Sequence, residues 1–441
     1  MRFPQRPPPL RLAQLKRDEL QGILSSQIAP VLPDGRYLHW NDLRNRSPPA
    51  GLTAEHWWLA QKLARTGGSV SLQEFTGIDD QPFWFCRVDA IDRVTHQLDR
   101  RDAAKEIIKA LGDAASQHQY RTDQLIEEAI SSSVLEGAKL TTRAQAKALI
   151  RDGRAPQSRG ERMVVNNYQA MLRLIDLRER QLSVDDLLEI HAILGDGALD
   201  EEEAAGRLRR LDEDVRVEDA TSGETWFVPP PADQLPERLE KMLAFANDGG
   251  SGPFVHPVVR AIVLHFWLAY LHPFVDGNGR MARALFYWQM LRAGYDFAQY
   301  LSISGPIDRS PRSYYLAFAH TETDGGDLTY FLLHQLHVLE QATEELLEHL
   351  RDRATRLRTL SAAISGEALN LRQQAVLAYL VRNPSPGATV TGHARSHGVS
   401  YLTARKDLQQ LEGGGFVRRV RVGRGDRYYP SPRLQTRFSA R

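Results

Sequence analysis

Apolar positions along the chain follow three regimes. Between about 102 and 350 they recur at helical spacing. Leu125, Ile126, Ala129, Ile130 and Val134 mark one helix face, and Val164, Tyr168, Met171, Leu172 and Ile175 another. Residues 258–271 are apolar nearly all round, which predicts a wholly buried helix. Residues 277–293 predict a second helix, closed by Gly294 at the C′ position. Pro229, Pro230 and Pro231, and the segment 249–253, interrupt the pattern as loops. Strand signals are few, and 216–228 predicts a short hairpin.

The flanking regimes differ. Residues 1–15 are rich in proline and arginine and are expected to be disordered. From 36 to 100 the chain is dense in aromatics: Tyr37, Trp40, Trp57, Trp58, Phe75, Phe83, Trp84 and Phe85. This predicts a small α+β domain with its own core, of no legible role. Residues 371–430 predict two short helices, a longer helix over 403–411, and a basic hairpin from Phe416 to Tyr429. That order is the winged helix-turn-helix arrangement. The expected domains are 1–100, 101–350 and 360–435.

Composition narrows the possibilities. A chain of 441 residues predicts two to four domains, and a net charge of +1 excludes a globally basic nucleic-acid coat. One cysteine, Cys86, allows no internal disulfide and suits a reducing compartment. The N-terminus has no apolar run of signal-peptide type, and the longest apolar run, 261–271, falls short of the roughly 18 residues of a membrane span. A cytoplasmic protein with no membrane contact is expected.

The chemistry-bearing stretch is 272–283, His-Pro-Phe-Val-Asp-Gly-Asn-Gly-Arg-Met-Ala-Arg. His272 stands where the buried helix ends. Gly277, Asn278 and Gly279 open the next helix, so backbone N–H groups and the positive helix end form an anion site. Arg280 and Arg283 share a face of the first turn and can meet phosphate with bidentate donors. Asp276 offers a hard oxygen where Mg²⁺ would bridge phosphates. The combination predicts phosphoryl-transfer chemistry. No GxxxxGK[ST] loop and no HExxH motif competes with it. His393 and His397 are spaced i,i+4 with no carboxylate or thiol near them in sequence, so no metal site is expected there.

This stretch matches the Fic family pattern HxFx(D/E)GNGRxxR at every specified position. The resemblance extends to the Gly206–Arg209 segment, to Thr225, Trp226, Phe227 and Val228 as a β-hairpin flap, and to 312–315, with Tyr314, as the region closing the adenine pocket. It covers roughly residues 120–350. It implies a mainly α fold: a helical-bundle Fic core with a flap, beside the small N-terminal domain and the winged helix. It implies a protein adenylyltransferase with ATP as substrate and Mg²⁺ as the metal. In that role His272 is the general base for a Tyr, Thr or Ser hydroxyl of a target protein. Asp276 holds Mg²⁺, while Ser132, Gly277, Asn278, Gly279, Arg280, Arg283 and Tyr314 contact ATP. The flap aligns the target by strand addition.

Residues 131–137, Ser-Ser-Ser-Val-Leu-Glu-Gly, resemble the family's inhibitory motif (S/T)xxxE(G/N), on an expected helix near 122–139. The resemblance implies that Glu136 pairs with Arg283 and holds ATP unproductively. It also allows a homodimer. Two alternatives stand: removal of AMP, or another nucleotide donor, at the same site; and a DNA-binding regulator carrying a Fic module. Residues 416–441 hold eight arginines and one acid, a local net of +7, so the winged helix is a candidate for DNA contact.

Overall fold

The structure is a computed structural model that describes residues 3–9, 12–100, 114–139, 142–218, 223–248, 252–363, 369–382, 387–422, 425–432 and 434. The described chain is mainly α. It divides into two compact units. One comprises Met1–Arg100, Leu172–Tyr295 and Pro306–Glu340, and the other Arg101–Met171, Asp296–Gly305 and Gln341–Arg441.

The N-terminal hundred residues give α1 (Arg17–Ser25), α2 (Trp40–Leu43), α3 (Ala54–Gly67), an antiparallel pair β1 (Ser69–Thr76) and β2 (Pro82–Cys86), and α4 (Asp89–Asp99). Thr53 starts α3 by accepting from the His56 N–H. Next come α5 (Ala114–Leu135), α6 (Arg143–Asp152), α7 (Arg159–Asp176) and α8 (Val184–Gly195). The two short strands β3 (Val217–Glu218) and β4 (Thr225–Phe227) pair antiparallel. This is the hairpin expected over 216–228; residues 219–222 lie outside the described residues. Then follow α9 (Leu235–Asp248), α10 (Pro257–Leu271), α11 (Asn278–Arg292), α12 (Ser304–Arg309), α13 (Pro311–Thr323) and α14 (Thr329–Ala363). The C-terminal part contains α15 (Leu371–Arg382), α16 (Val390–His397), α17 (Tyr401–Gly413) and the antiparallel pair β5 (Val417–Val422) and β6 (Gly425–Pro430).

In the first unit α10 and α11 pack along each other and form the centre of the core. The expected burial of α10 is observed on every face but those of Pro257, Arg260 and Ala269. Gly294, at φ +86°, ends α11. Its N–H bonds Leu291 O at 3.0 Å, and the Tyr295 N–H bonds Met290 O at 3.0 Å, the paired bonds of a Schellman cap.

The N-terminal segment departs from expectation in two ways. Trp40, Trp57 and Trp58 do form a local cluster with Leu32 and Leu43. The β1–β2 pair, however, lays its aromatics on α10: Phe75 and Phe83 stand 4.7 and 5.5 Å from Trp267. A two-stranded sheet has too little surface to close a core alone, so it borrows the apolar wall of α10. Residues 1–15 are not a featureless tail either. Pro4 is buried, Phe3 meets Trp226 edge-on at 5.5 Å, and Leu12–Gln14 form a 3₁₀ turn. Two apolar side chains at the very start anchor a segment whose composition alone predicts disorder. Residues 1–2 and 10–11 lie outside the described residues.

In the second unit Ile126, Ala129, Ile130, Ala146, Ile150 and Val164 build the core shared by α5, α6 and α7. The C-terminal helices and hairpin close over Leu377, Leu380, Leu408, Leu411, Phe416 and Tyr428. The fold brings a carboxylate to His393 that the local sequence does not show. Asp407 Oδ2 lies 3.3 Å from His393 Nε2. That carboxylate is already held by Arg372, at 2.7 and 3.1 Å, and by Asn370 at 2.9 Å. Among the described residues, no group of three potential metal ligands forms.

Candidate active site

The site begins where α10 stops. His256 caps its start and Pro257 opens its first turn. At the other end His272 precedes Pro273, whose ring disfavours the helical region for the preceding residue. His272 accordingly takes the left-handed conformation, φ 47° and ψ 55°, as the C-cap. Its Nδ1 lies 3.1 Å from Ala269 O, an acceptor only, so Nδ1 carries the proton and Nε2 the lone pair.

Arg209 fixes this corner. Its Nε donates to His272 O at 2.8 Å, and its Nη2 donates to Pro230 O and, at 3.4 Å, to Leu271 O. The Arg209 N–H donates to Pro273 O at 2.9 Å. A cation on the last carbonyls of a helix also answers the negative end of its dipole.

The loop after Pro273 is held from within and from below. The Asn278 side chain bonds the Phe274 backbone twice, accepting its N–H at 3.0 Å and donating to its carbonyl at 2.9 Å. The Asn278 side chain is thus spent on the loop, and what it can offer an anion is its backbone N–H. Gly277 takes φ +83°, Asp276 Oδ1 accepts the Gly277 N–H, and Gly279 lies in the first turn of α11. Beneath the loop lies His191 of α8, which Ser183 and Asp186 start with a capping box. The His191 Nε2 donates to Asp276 O at 2.9 Å, and its Nδ1 accepts the Gly206 N–H at 3.1 Å. Its ring stacks on Phe274 at 3.7 Å. Burial pushes His191 down to about 4, so it is neutral at pH 7.

The arginines are buried. Arg280 is fully enclosed, its Nη1 donating to Leu194 O at 3.2 Å and its Nη2 4.0 Å from Asp276 Oδ2. Arg283 is 2% exposed, and its charge adds to burial in holding His265 well below the usual imidazole range. His265 Nε2 is 2.9 Å from the hydroxyl of buried Tyr314. The Asp276 side chain is 40% exposed, so its carboxylate can reach a ligand from solvent.

The β3–β4 hairpin flanks a cavity of about 430 Å³. Thr225, Trp226, Phe227 and Val228 line it together with Phe83, Tyr270 and Glu322. Phe227 lies 4.9 Å from Tyr270. Burial raises the Glu322 carboxyl to about 8.

Two expected site residues, Ser132 and Glu136, belong to the second unit. Ser132 is buried near the C-terminus of α5. Gly137, at φ +84°, ends that helix with a Schellman cap. The Gly137 N–H bonds Val134 O at 2.9 Å and the Ala138 N–H bonds Ser133 O at 2.9 Å. Glu136 is therefore the C-cap residue, with a half-buried side chain.

Residues 181–290, which hold this corner, its loop and the β3–β4 hairpin, match the family model described as Fic/DOC family. Over those residues the chain is similar to the Fic/DOC family. It is 37% identical over 122 residues to the protein adenylyltransferase Fic of Nematostella vectensis, spanning 27% of this chain and 25% of that protein. It is 31% identical over 169 residues to the protein adenylyltransferase fic-1 of Caenorhabditis elegans, spanning 36% and 30%. The chain thus spans between a quarter and a third of the length of these relatives. A Fic family protein from Desulfovibrio desulfuricans G20, of known structure, superposes with a TM-score of 0.49 at 23% identity, over 79% of this chain and 98% of that one.

His191 was not among the residues expected from sequence. A lone histidine within a helical stretch carries no signal, and its partners Gly206 and Asp276 are 15 and 85 residues away. Neither the flap cavity nor Glu322 had a sequence signature.

Proposed function

We propose that this chain transfers AMP from ATP to a side-chain hydroxyl of a target polypeptide, with His272 as general base. One observation carries the reading: the Nδ1–Ala269 O bond makes Nε2 the basic nitrogen of His272, the residue that ends α10 just before the loop opening α11. The hydroxyl oxygen attacks the α-phosphorus. A new P–O bond forms, the bond to the β-phosphate bridge breaks, and pyrophosphate leaves. The hydroxyl proton goes to His272 Nε2. Backbone N–H groups of Asn278 and Gly279 hold phosphate oxygens, joined by that of Gly277 once Asp276 Oδ1 releases it, Arg280 and Arg283 supply positive charge, and Tyr314 completes the nucleotide contacts.

Asp276 fits Mg²⁺. Its solvent-facing carboxylate stands beside the phosphate loop, and Mg²⁺ is commonly held by one carboxylate plus substrate phosphates and water. The metal would supply charge neutralisation on those phosphates. The flap residues Thr225, Trp226, Phe227 and Val228 receive the target chain, supported by the adjoining cavity. Glu136 is the brake on this chemistry, supported by its place at the C-cap of α5 directly before Gly137. The parts are an N-terminal region over 1–100, a Fic region over 101–350 and a winged helix over 360–435. The helix order and the paired β5–β6 hairpin support the last.

The test is incorporation from α-labelled ATP. Glu136→Gly is expected to raise self-labelling at least tenfold over the wild type, and adding His272→Ala to abolish it. Undiminished labelling in the double variant would reject His272 as the base.

A further inference from the structure

Within the second unit the C-terminal module is bolted to the helix that carries Glu136. The joint is α16, which packs against both α5 and α6. Arg395 of α16 donates through Nη1 to Ile150 O and, at 3.4 Å, to Arg151 O. Its guanidinium lies so close to Gly153, the C-cap of α6, that a Cβ there would stand 2.5 Å from Nη2. Arg395 thus caps α6 from outside. Its own carbonyl lies 3.2 Å from His118 Nε2 on α5, and Gly398 lies against the same imidazole. Asp152, at the end of α6, accepts from Thr389 Oγ1 at 3.1 Å and meets Arg427 of β6 at 3.5 Å.

From His118 to Glu136 is about 27 Å of helix at 1.5 Å per residue. The clamp holds one end of α5, and the Schellman cap that presents Glu136 is the other.

Other parts of the module are exposed. Tyr401 and Leu402 of α17 are 55% and 75% exposed, with Arg405 and Lys406 exposed one turn on. On the hairpin Arg418 and Arg421 are exposed, while the acids Glu412 and Asp426 are paired with Arg419. A helix start bearing basic and apolar side chains, beside an arginine-bearing hairpin, complements the phosphates and groove of a duplex.

We propose that duplex DNA on the α17 and β5–β6 face regulates AMP transfer through the α16 clamp on α5. The inference rests on the reading of Glu136 as the brake. The clamp is formed in the free chain, and DNA acts by favouring the state in which it is loosened, so that transfer rises. Linkage makes the effect reciprocal: a nucleotide that favours the loosened state tightens DNA binding by the same factor.

The test uses the whole chain and a fluorescein-labelled mixed-sequence 24-base-pair duplex. Anisotropy should show salt-sensitive binding that weakens at least tenfold in R405A/K406A. Self-labelling from α-labelled ATP should rise at least threefold on adding the duplex. Arg395→Ala should raise labelling without DNA and abolish the response to it. Arg395→Lys, which keeps the charge and one donor, should recover part of the response. Glu136→Gly should label fast with or without DNA.

Failure of the duplex to bind overturns the partner. Binding without a change in wild-type labelling overturns the coupling, as does an Arg395→Ala protein that responds like wild type. If Glu136→Gly labels no faster than wild type, it is the brake reading beneath the inference that fails.

Discussion

His191 Nε2 donates to the carbonyl of Asp276 at 2.9 Å, so a neutral histidine of α8 supports the residue that would face the metal. Its second nitrogen binds the Gly206 N–H, and its ring lies flat on Phe274. His191→Phe keeps the stacking and removes both bonds. Losing buried bonds of this kind costs about 1–3 kcal/mol each. The expected result is a kcat for AMP transfer about 10- to 100-fold lower, because the loop shifts, with a smaller change in KM for ATP. A wild-type kcat in a folded His191→Phe protein would remove its positioning role. Acid adds a second signature. The folded-state value is depressed to about 4, below the unfolded value near 6.5, so the unfolded state binds the extra proton between them. Stability is full above about 6.5 and falls by up to about 3 kcal/mol as pH drops to 4. Urea titrations across that range should show a shallower slope in His191→Phe.

Gly277 is a place where backbone freedom and close approach are both required. It sits at φ +83°, and a Cβ there would lie 3.3 Å from Arg280 Nη2 and 3.6 Å from His191 Nε2. Gly294 has a similar φ of +86° with nothing within 4 Å of such a Cβ. Gly294→Ala should cost about 1 kcal/mol of left-handed strain and spare activity. Gly277→Ala should cost about 1 kcal/mol more and strongly reduce AMP transfer. Equal denaturation midpoints for the two variants would show that the crowding is relieved at no cost.

Arg209 holds the carbonyls of Leu271, His272 and Pro230 at the corner that carries His272. Arg209→Met keeps most of the stem and removes the donors. Two buried acceptors and one half-buried acceptor lose this partner, so about 2–4 kcal/mol of stability should go, read as a fall in Tm. Arg209→Lys supplies charge without the planar fork and should recover only part. Full recovery by lysine would mean that the charge at the helix end matters and the fork does not.

Much of this arrangement was legible in the chain itself, for identifiable reasons. The all-apolar run of α10, the Gly294 stop of α11, the β3–β4 hairpin and the helices before the basic β5–β6 pair are local patterns, and local patterns fix local structure. The loop from His272 to Arg283 was legible because its members are close in sequence. What could not be read was contact between distant segments. His191 beneath Asp276 and Asp407 beside His393 involve no local signal. The same holds for Phe83 against α10 and Phe3 against Trp226. The two bonds from the Asn278 side chain to the Phe274 backbone follow from a turn geometry that residue type alone does not reveal.

Away from the site the first unit holds a buried charge cluster. Lys62 Nζ lies 3.0 Å from Asp324 and 3.6 Å from Asp327, and 4.4 Å from the Trp84 ring centre. Tyr37 donates to Asp327 at 2.6 Å, Tyr330 donates to Asp324 at 2.8 Å, and Arg65 donates to Tyr330 at 2.9 Å. Burial raises Asp324 to about 6, and Lys62 opposes that rise. Lys62→Met fills the same space without the charge. Removing one partner of a buried pair costs about 3–5 kcal/mol, because the carboxylates left behind are uncompensated. The loss has a defined pH dependence. Asp324 is raised above its unfolded value, so its protonated form favours the folded state and that contribution disappears as pH rises through the folded value. Without Lys62 the folded value climbs further. The stability deficit of Lys62→Met should therefore be largest at pH 8 and shrink at pH 5.5, where Asp324 takes up a proton. Denaturant titrations of both proteins at the two pH values decide it: a deficit of equal size at both would mean that Lys62 acts by packing on Trp84 rather than by charge.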